Sequence, residues 1–282
     1  MIAAEKANYP VTLMCKVLGV SRSGFYASAK REAVTKQMEN DRILTEKIRE
    51  IHERSRGTYG SPRIHAQLNR DGFPCSKGRV EKLMREAGIQ GRVRRRYRNT
   101  TDSNHRRPVA KNLIKRDFST ETPDSVWCAD ITAVPTATGF VYLAAIIDVA
   151  TRLIVGWAMD TNMETQLIQR ALKSALAWRE PANEIVHHSD RGSQYASHAY
   201  QDALATRGIR SSMSRAGDCW DNAMIESLFG TYKQEWAHHH RWRGLVDARA
   251  ATHDYIEGFY NRERLHSSLG YRTPMEADEA AA

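Results

Sequence analysis

No two of the four cysteines form a CxxC pair: Cys15, Cys75, Cys128 and Cys219 are scattered along 282 residues. That spacing argues against a zinc knuckle and a disulfide framework, and it predicts reduced structural thiols. No apolar run approaches the roughly eighteen residues that a membrane-spanning helix needs. The N-terminal MIAAEKANYP has no signal-peptide core. The expectation is a cytoplasmic protein with no membrane partner. Acidic residues are sparse in the front half: residues 1–120 carry a net charge of +15 and residues 121–282 carry −6, within an overall +9. A basic front joined to a mildly acidic back fits a nucleic-acid-binding region attached to something different.

The front half reads as helices. VTLMCKVLGVSRSGFYASAK, residues 11–30, holds a short apolar-periodic helix ending at Gly19. Ser21 then offers an N-cap for a second helix that carries Arg22, Phe25 and Tyr26. This is the outline of a helix-turn-helix; two small packed helices with no DNA role would read the same way. DRILTEKIREIHER, residues 41–54, predicts a further helix with Ile43, Leu44, Ile48 and Ile51 inward. Residues 60–89 give a second helix-turn-helix outline. In it Ser61 caps, Pro62 takes the first helical position, Gly72 closes, Ser76 caps the next helix and Gly88 ends it. Lys77, Arg79, Lys82 and Arg85 stand on its second helix. Residues 91–117 are too polar and arginine-dense to bury a core, and Arg92, Arg94, Arg95, Arg96 and Arg98 lead the run. Beside two helix-turn-helix units, this is expected to be an extended linker lying along a phosphate backbone.

From about residue 122 the pattern changes. SVWCADITAVPT, GFVYLAAIIDVATR and LIVGWAMD predict three strands, the first two joined by a turn at Thr138-Gly139. A helix at 163–178, a strand EIVHHSD ending at Asp190, a helix near 197–207, a strand near 209–214 and a helix within 219–236 follow. A meander followed by alternating helices and strands is the order of a ribonuclease-H-like α/β fold, one of several topologies the pattern allows.

Three carboxylates stand out by location. Asp130 lies in the first strand, Asp190 where the fourth strand meets RGSQY, and Glu226 on the following helix. Groups at strand ends and on a neighbouring helix can converge at one edge of an open sheet. Three clustered acids repel one another, and a cation relieves that repulsion. Two Asp and one Glu suit a hard divalent ion of the Mg²⁺ type better than zinc. The alternative of three unrelated surface carboxylates stays open on the residues alone. Asp124, Asp148, Asp160, Asp221 and Glu235 lie in the same half.

WCADIT, HSDRGSQY, SMSRAGDCWDNAMIESLFGTYKQE and YNRERLHSSLGYRTPMEA, in this order, resemble the DDE transposases of bacterial insertion sequences. The match is to the OrfB proteins of the IS-three family, relatives of retroviral integrases. Thirty-five residues separate Asp190 from Glu226, the separation that family shows between its last two acids. The resemblance implies an all-α helix-turn-helix region ahead of an integrase catalytic core with a ribonuclease-H-like fold. The expected divisions are a helix-turn-helix over 1–40, a second over 41–90, a basic linker over 91–121, and the core with C-terminal helices over 122–282.

The resemblance further implies that Asp130, Asp190 and Glu226 form a metal-binding triad, holding two Mg²⁺ per active site with Mn²⁺ as a substitute. Lys233 matches a residue implicated in DNA contact. His188, Gly192, Gln194 and Tyr195 match the turn that shapes the site, and Asn222 matches a positional Asn. For His188 a packed, satisfied histidine is an equal reading. Asn261, Arg262 and His266 match the tail motif, where packing or DNA proximity are the two readings. The partners implied are double-stranded DNA at the element ends and target, at least a homodimer for synapsis, and OrfA or an OrfA–OrfB frameshift fusion. The implied setting is the bacterial cytoplasm, at the nucleoid. A DNA-binding regulator that keeps the fold without the chemistry, and a nuclease of the same fold, are the rival readings. At 100° per residue, Ile225, Leu228, Phe229, Tyr232 and Trp236 form one apolar stripe, with Glu226 and Lys233 together on its flank. Gly230, one turn beyond Glu226, leaves a gap there that would admit a DNA backbone.

Overall fold

The computed structural model describes residues 1–92, 109–179, 184–215 and 219–281. Arg94, Arg95, Arg96 and Arg98, expected on DNA, lie outside these described residues. The chain divides into two compact units, Met1–Gly91 and Arg92–Ala282.

The first unit is helical: α1 (Ile2–Glu5), α2 (Val11–Val17), α3 (Arg22–Arg54), α4 (Ser61–Arg70) and α5 (Lys77–Glu86). Ser21 caps α3 by accepting the Gly24 N–H at 3.0 Å, after a turn in which Gly19 takes φ +67°. The helix then runs on without a break. The segment expected as a separate helix over 41–54 is its C-terminal part, and residue 40 falls in mid-helix. No Gly or Pro stands between residues 25 and 56. Arg42 spans the expected break, pairing with Glu39 at 2.7 Å and Glu46 at 2.8 Å.

The helix-turn-helix outline over 60–89 becomes α4 and α5, packed on α3 through Leu44, Ile48, Ile51, Ile64, Leu68, Val80 and Leu83. Ile43, expected inward, is exposed. Gly60, not Ser61, is the N-cap of α4, which puts Ser61 inside the helix. Ser76 does cap α5, accepting from the Arg79 N–H. No helix among the described residues is long and apolar enough to cross a membrane.

The second unit is built on β1 (Val126–Thr136), β2 (Gly139–Asp148), β3 (Ile154–Asp160), β4 (Val186–Ser189) and β5 (Arg210–Met213). Its helices are α6 (Thr165–Trp178), α7 (His198–Ala205), α8 (Ala223–Glu235), α9 (Leu245–His253) and α10 (Pro274–Glu279), with a π-helical turn at Asp254–Tyr260. The sheet order is β3-β2-β1-β4-β5, with the meander antiparallel and β1, β4 and β5 parallel. This is the ribonuclease-H-like α/β arrangement.

Alternation along β1 sorts its side chains between two faces. Trp127, Ala129 and Ile131 join a core with Ala144, Ile146, Val155 and the α6 residues Leu167, Ile168, Ala171 and Leu172. Fully burying each large apolar side chain contributes roughly 1.5–3 kcal/mol. Gly156 permits the close approach of β3 to α6, because a Cβ there would stand 2.4 Å from the Ala171 carbonyl oxygen. Cys128, Asp130 and Thr132 face the other way, and α8 packs against β1.

Candidate active site

Asp130 sits in the middle of β1, half-buried, opposite Ala145 of β2. Its Oδ1 accepts the Ile131 N–H at 2.7 Å. The parallel pairing of Cys128 with His188 brings the end of β4 alongside, and two residues later Asp190 lies beyond the strand. There Asp190 Oδ1 accepts the Gly192 N–H at 2.8 Å. A Cβ at residue 192 would come within 3.0 Å of that same oxygen, so the tight turn suits glycine. Glu226 lies in the first turn of α8, whose buried side carries Ile225, Leu228, Phe229 and Tyr232.

These elements bring four charges together. The Asp130 carboxyl is pushed well above the usual carboxylate range, first by burial and then by Asp190, with Glu226 adding to the effect. The Ile131 N–H and the Lys233 ammonium work against that rise. Lys233 is itself lowered by burial, against the pull of Asp130. Asp190 and Glu226 both act on Asp130 without the three closing into a ligand shell: among the described residues, no three His, Cys, Asp or Glu side chains stand at ion-holding distances. An all-oxygen donor set with an energetic cost to ionisation nevertheless matches the chemistry of a hard divalent cation.

Four other acids of this half are held elsewhere. Asp124 pairs with Arg179 at 2.6 Å and accepts the Trp127 indole N–H. Asp148 closes a turn through the Thr151 N–H and hydroxyl. Asp160 pairs with Arg170. Glu235 is buried against Arg264 at 2.7 Å.

Residues 120–219 match a family described as integrase core domain, residues 207–274 match a second family of that description, and residues 39–97 match an HTH-like domain. The chain is 41% identical over 261 residues to the insertion element IS600 uncharacterized 31 kDa protein of Shigella sonnei, covering 93% of this chain and 96% of that protein. It is 34% identical to transposase InsF for insertion sequence IS3A of Escherichia coli (strain K12), covering 98% of this chain and 96% of InsF. The chain belongs to the IS-three family of insertion-sequence transposases. It is also 35% identical to the transposase for insertion sequence element IS629 of Shigella sonnei, covering 98% and 93% of the two chains.

The protein is thus a DDE-type transposase, a polynucleotidyl transferase of DNA transposition and integration whose integrase core depends on a divalent metal. Around the acids, the transposase places the turn residues in distinct roles. Tyr195 is buried near Asp130 and Asp190 and packs edge-on to Tyr200, with ring centroids 5.5 Å apart. Gln194 donates to the Met163 carbonyl at 2.9 Å, tying the turn to the start of the α6 region. His188 has both ring nitrogens engaged, Nδ1 at 2.8 Å from Ser212 Oγ and Nε2 at 2.9 Å from the Asp221 carbonyl. Burial lowers its pKa, so His188 is a packed, satisfied histidine. Asn222 is the N-cap of α8 without a side-chain cap bond. Gly230 is half-buried on α8.

The positions read as DNA contacts are disposed differently. Arg22, Lys77 and Lys82 are exposed. Arg79 is tied to Asp41 by its Nε at 2.7 Å, which joins α5 to α3. Arg92 is turned into the second unit, where it donates to the Glu235 carbonyl.

Three features escaped the sequence reading. Residues 109–117 do not simply extend as linker: Ile114 is buried, and Asn112, Leu113 and Arg116 bond into the core. Asp221 is buried and surrounded by donors. On α8, Glu235 is buried while Trp236, expected in the stripe, is only half-buried. The one local signal was the placement of Asp221 just ahead of the α8 N-cap, Asn222.

Proposed function

We propose that Asp130, Asp190 and Glu226 form one active site for DNA strand cleavage and strand transfer at the terminal inverted repeats of an insertion sequence. The observation that supports this best is that Asp190, Glu226 and Lys233 all act electrostatically on Asp130. The donor set suits two Mg²⁺ ions, or Mn²⁺ in their place. When bound, such ions supply Lewis acidity at the phosphoryl oxygens and make the attacking group more acidic.

The chain's own residues hold and aim the site. The Ile131 N–H fixes one oxygen of Asp130, and the Gly192 N–H fixes one of Asp190. α8 presents Glu226 from a helix whose opposite side is buried. Lys233, seven residues on, returns to nearly the same direction and brings positive charge to the DNA backbone. In cleavage, water forms a new bond to phosphorus and the bond from phosphorus to the 3′ oxygen breaks, freeing a 3′-hydroxyl. In transfer, that hydroxyl attacks a second phosphodiester in line, loses its proton, and the target's 3′ oxygen departs. No covalent protein–DNA intermediate forms. The first transfer joins one end to the flank of the other and leads to a circular intermediate that is later integrated.

The helical first unit, Met1–Gly91, and the basic run that follows it hold the element ends, ahead of the catalytic core. The protein works on double-stranded DNA as a homodimer or higher oligomer, with OrfA or as an OrfA–OrfB fusion, in the cytoplasm at the nucleoid. Incubating the protein, alone and fused to OrfA, with labelled end DNA and Mg²⁺ or Mn²⁺ tests this reading. Joined products from the wild type that vanish in Asp190→Asn support it. End binding with no cleavage by either form overturns it in favour of a regulator.

A further inference from the structure

Asp221 stands two residues before α8 and five before Glu226, and both its side chain and its backbone are held. The carboxylate accepts from Asn112 Nδ2 at 2.8 Å and Arg116 Nε at 3.2 Å. It also accepts from the Arg215 backbone N–H at 2.9 Å, Arg215 Nε at 3.0 Å and Arg215 Nη2 at 3.1 Å. Its backbone carbonyl lies 2.9 Å from His188 Nε2. A carbonyl only accepts, so Nε2 carries the imidazole proton, and Nδ1 accepts from the Ser212 hydroxyl. Ser212 Oγ in turn accepts the Leu113 N–H at 2.9 Å.

This chain of bonds links the elements that carry two of the acids. His188 is two residues before Asp190 on the same run of chain, while Asp221 leads directly into the helix of Glu226. α8 has no side-chain N-cap bond of its own, so Asp221 supplies the fixed point at its start. The segment over 112–116 completes the cage. Asn112 Oδ1 accepts the Ile114 N–H at 3.1 Å and the Lys115 N–H at 2.8 Å, which turns the chain and leaves its amide nitrogen aimed at Asp221. Lys115 and Arg116 both take left-handed backbone, at φ +52° and +69°, a strained conformation that these contacts hold. Buried Ile114 anchors the strap from beneath.

We propose that Asp221 is a positioning residue that sets Glu226 against Asp190, and that residues 112–116 are the strap that holds it. The proposal rests on the active-site reading above. Groups that orient metal ligands from behind typically change metal affinity or activity by about 10–100-fold when removed. Because Asp221 acts through the backbone rather than on Glu226 directly, the lower end of that range applies.

The test compares the full chain with Asp221→Asn, the double variant Asn112→Ala/Arg116→Ala, and Glu226→Gln. Mn²⁺ binding is read by the electron paramagnetic resonance signal of the free ion in the presence of end DNA. Strand transfer is measured against Mg²⁺ concentration, and the thermal midpoint reports folding. Asp221→Asn is expected to weaken Mn²⁺ binding about tenfold, with joining recovered at high metal. The double variant is expected to shift the metal requirement in the same direction by a smaller factor, read on its folded fraction because the strap loses its bonds, and it carries the test alone should Asp221→Asn fail to fold. Wild-type Mn²⁺ affinity in the folded variants, with or without a lower thermal midpoint, overturns the proposal. If Glu226→Gln loses Mn²⁺ while the others keep it, this proposal alone fails; if Glu226→Gln keeps wild-type binding, the active-site reading fails.

Discussion

The Glu235 carboxylate receives Arg264 Nε and Nη2, each at 2.7 Å, from the opposite side of α8 to Glu226. Nine residues at 100° each make two and a half turns, so the two glutamates point in opposite directions. Tyr255 adds its hydroxyl to Glu235 at 3.1 Å. The buried ion pair therefore holds the C-terminal half of the helix from behind, while Glu226 faces the other acids.

Removing one partner of this pair leaves a buried charge uncompensated. Arg264→Met is expected to destabilise the protein by about 3–5 kcal/mol. Arg264→Lys is expected to recover little of the loss, because an ammonium cannot reproduce the two parallel bonds. Denaturant unfolding of the variants checks both, and a loss under 1 kcal/mol in Arg264→Met would contradict the assignment.

Asn261 resolves the two readings of the tail motif in favour of packing at its own position. Its Oδ1 accepts the Ile154 N–H at 3.0 Å and its Nδ2 donates to the Ile154 carbonyl at 3.1 Å, so the buried amide pairs with the start of β3 like a neighbouring strand. Asn261→Asp removes the donor and faces a carboxylate with a carbonyl. A loss of about 1–3 kcal/mol is expected by urea unfolding, with end-DNA binding by the folded fraction unchanged.

Much of the core was legible because its signals are local. β-Branched and aromatic residues on either side of the Thr138-Gly139 turn marked β1 and β2, and the 100° arithmetic placed Ile225, Leu228, Phe229 and Tyr232 together. The failures share a physical cause. Glu235 reads as a surface acid until Arg264, twenty-nine residues on, is folded against it. Asn112 and Arg116 read as linker until Asp221, more than a hundred residues away, gathers them. Periodicity reports which face a residue occupies and is silent about the distant partner that makes a buried charge tolerable. The break expected in α3 failed for a different reason: no Gly or Pro stands between residues 25 and 56, and the ion pairs of Arg42 bridge the place where a boundary was expected.

Asp130 predicts a trade between stability and chemistry. Its carboxyl pKa is raised in the fold, so keeping it ionised at neutral pH costs stability, and that cost shrinks as the pH falls and the carboxyl protonates. Asp130→Asn removes that charge. It is expected to stabilise the metal-free protein at pH 7 by about 0.5–2 kcal/mol while abolishing strand transfer. Thermal unfolding in chelator checks the sign, and a destabilised variant would contradict it.

His187 gives a pH dependence of the opposite kind. Burial, with His188 adjoining, pushes its pKa down to about 3, and Tyr200 hydroxyl lies 3.0 Å from its Nε2. Below the ordinary value near 6.5 the unfolded chain binds a proton at this ring, and the folded chain refuses it until about pH 3. The stability it allows is thus complete above pH 6.5 and declines as pH falls through that window, by at most about 1.4 kcal/mol per pH unit. His187→Gln is expected to flatten the fall in unfolding free energy between pH 7 and pH 5, and an unchanged slope would contradict the account.

Gly230 lies one turn past Glu226 and three residues before Lys233 on α8. If this side of the helix carries DNA, Gly230→Leu impairs strand transfer by about tenfold or more, a barrier change of roughly 1.4 kcal/mol. The thermal midpoint should change little. Equal loss of folding and activity would count against DNA passing there.

The central claim is that Asp130, Asp190 and Glu226 act as one metal-dependent site, and divalent-ion uptake tests it most directly. Titrating Mn²⁺ into the full chain with end DNA is expected to give saturable uptake by the wild type. Asp130→Asn, Asp190→Asn and Glu226→Gln, each folded, are each expected to lose it. Uptake at wild-type affinity in any one of the three would contradict the account.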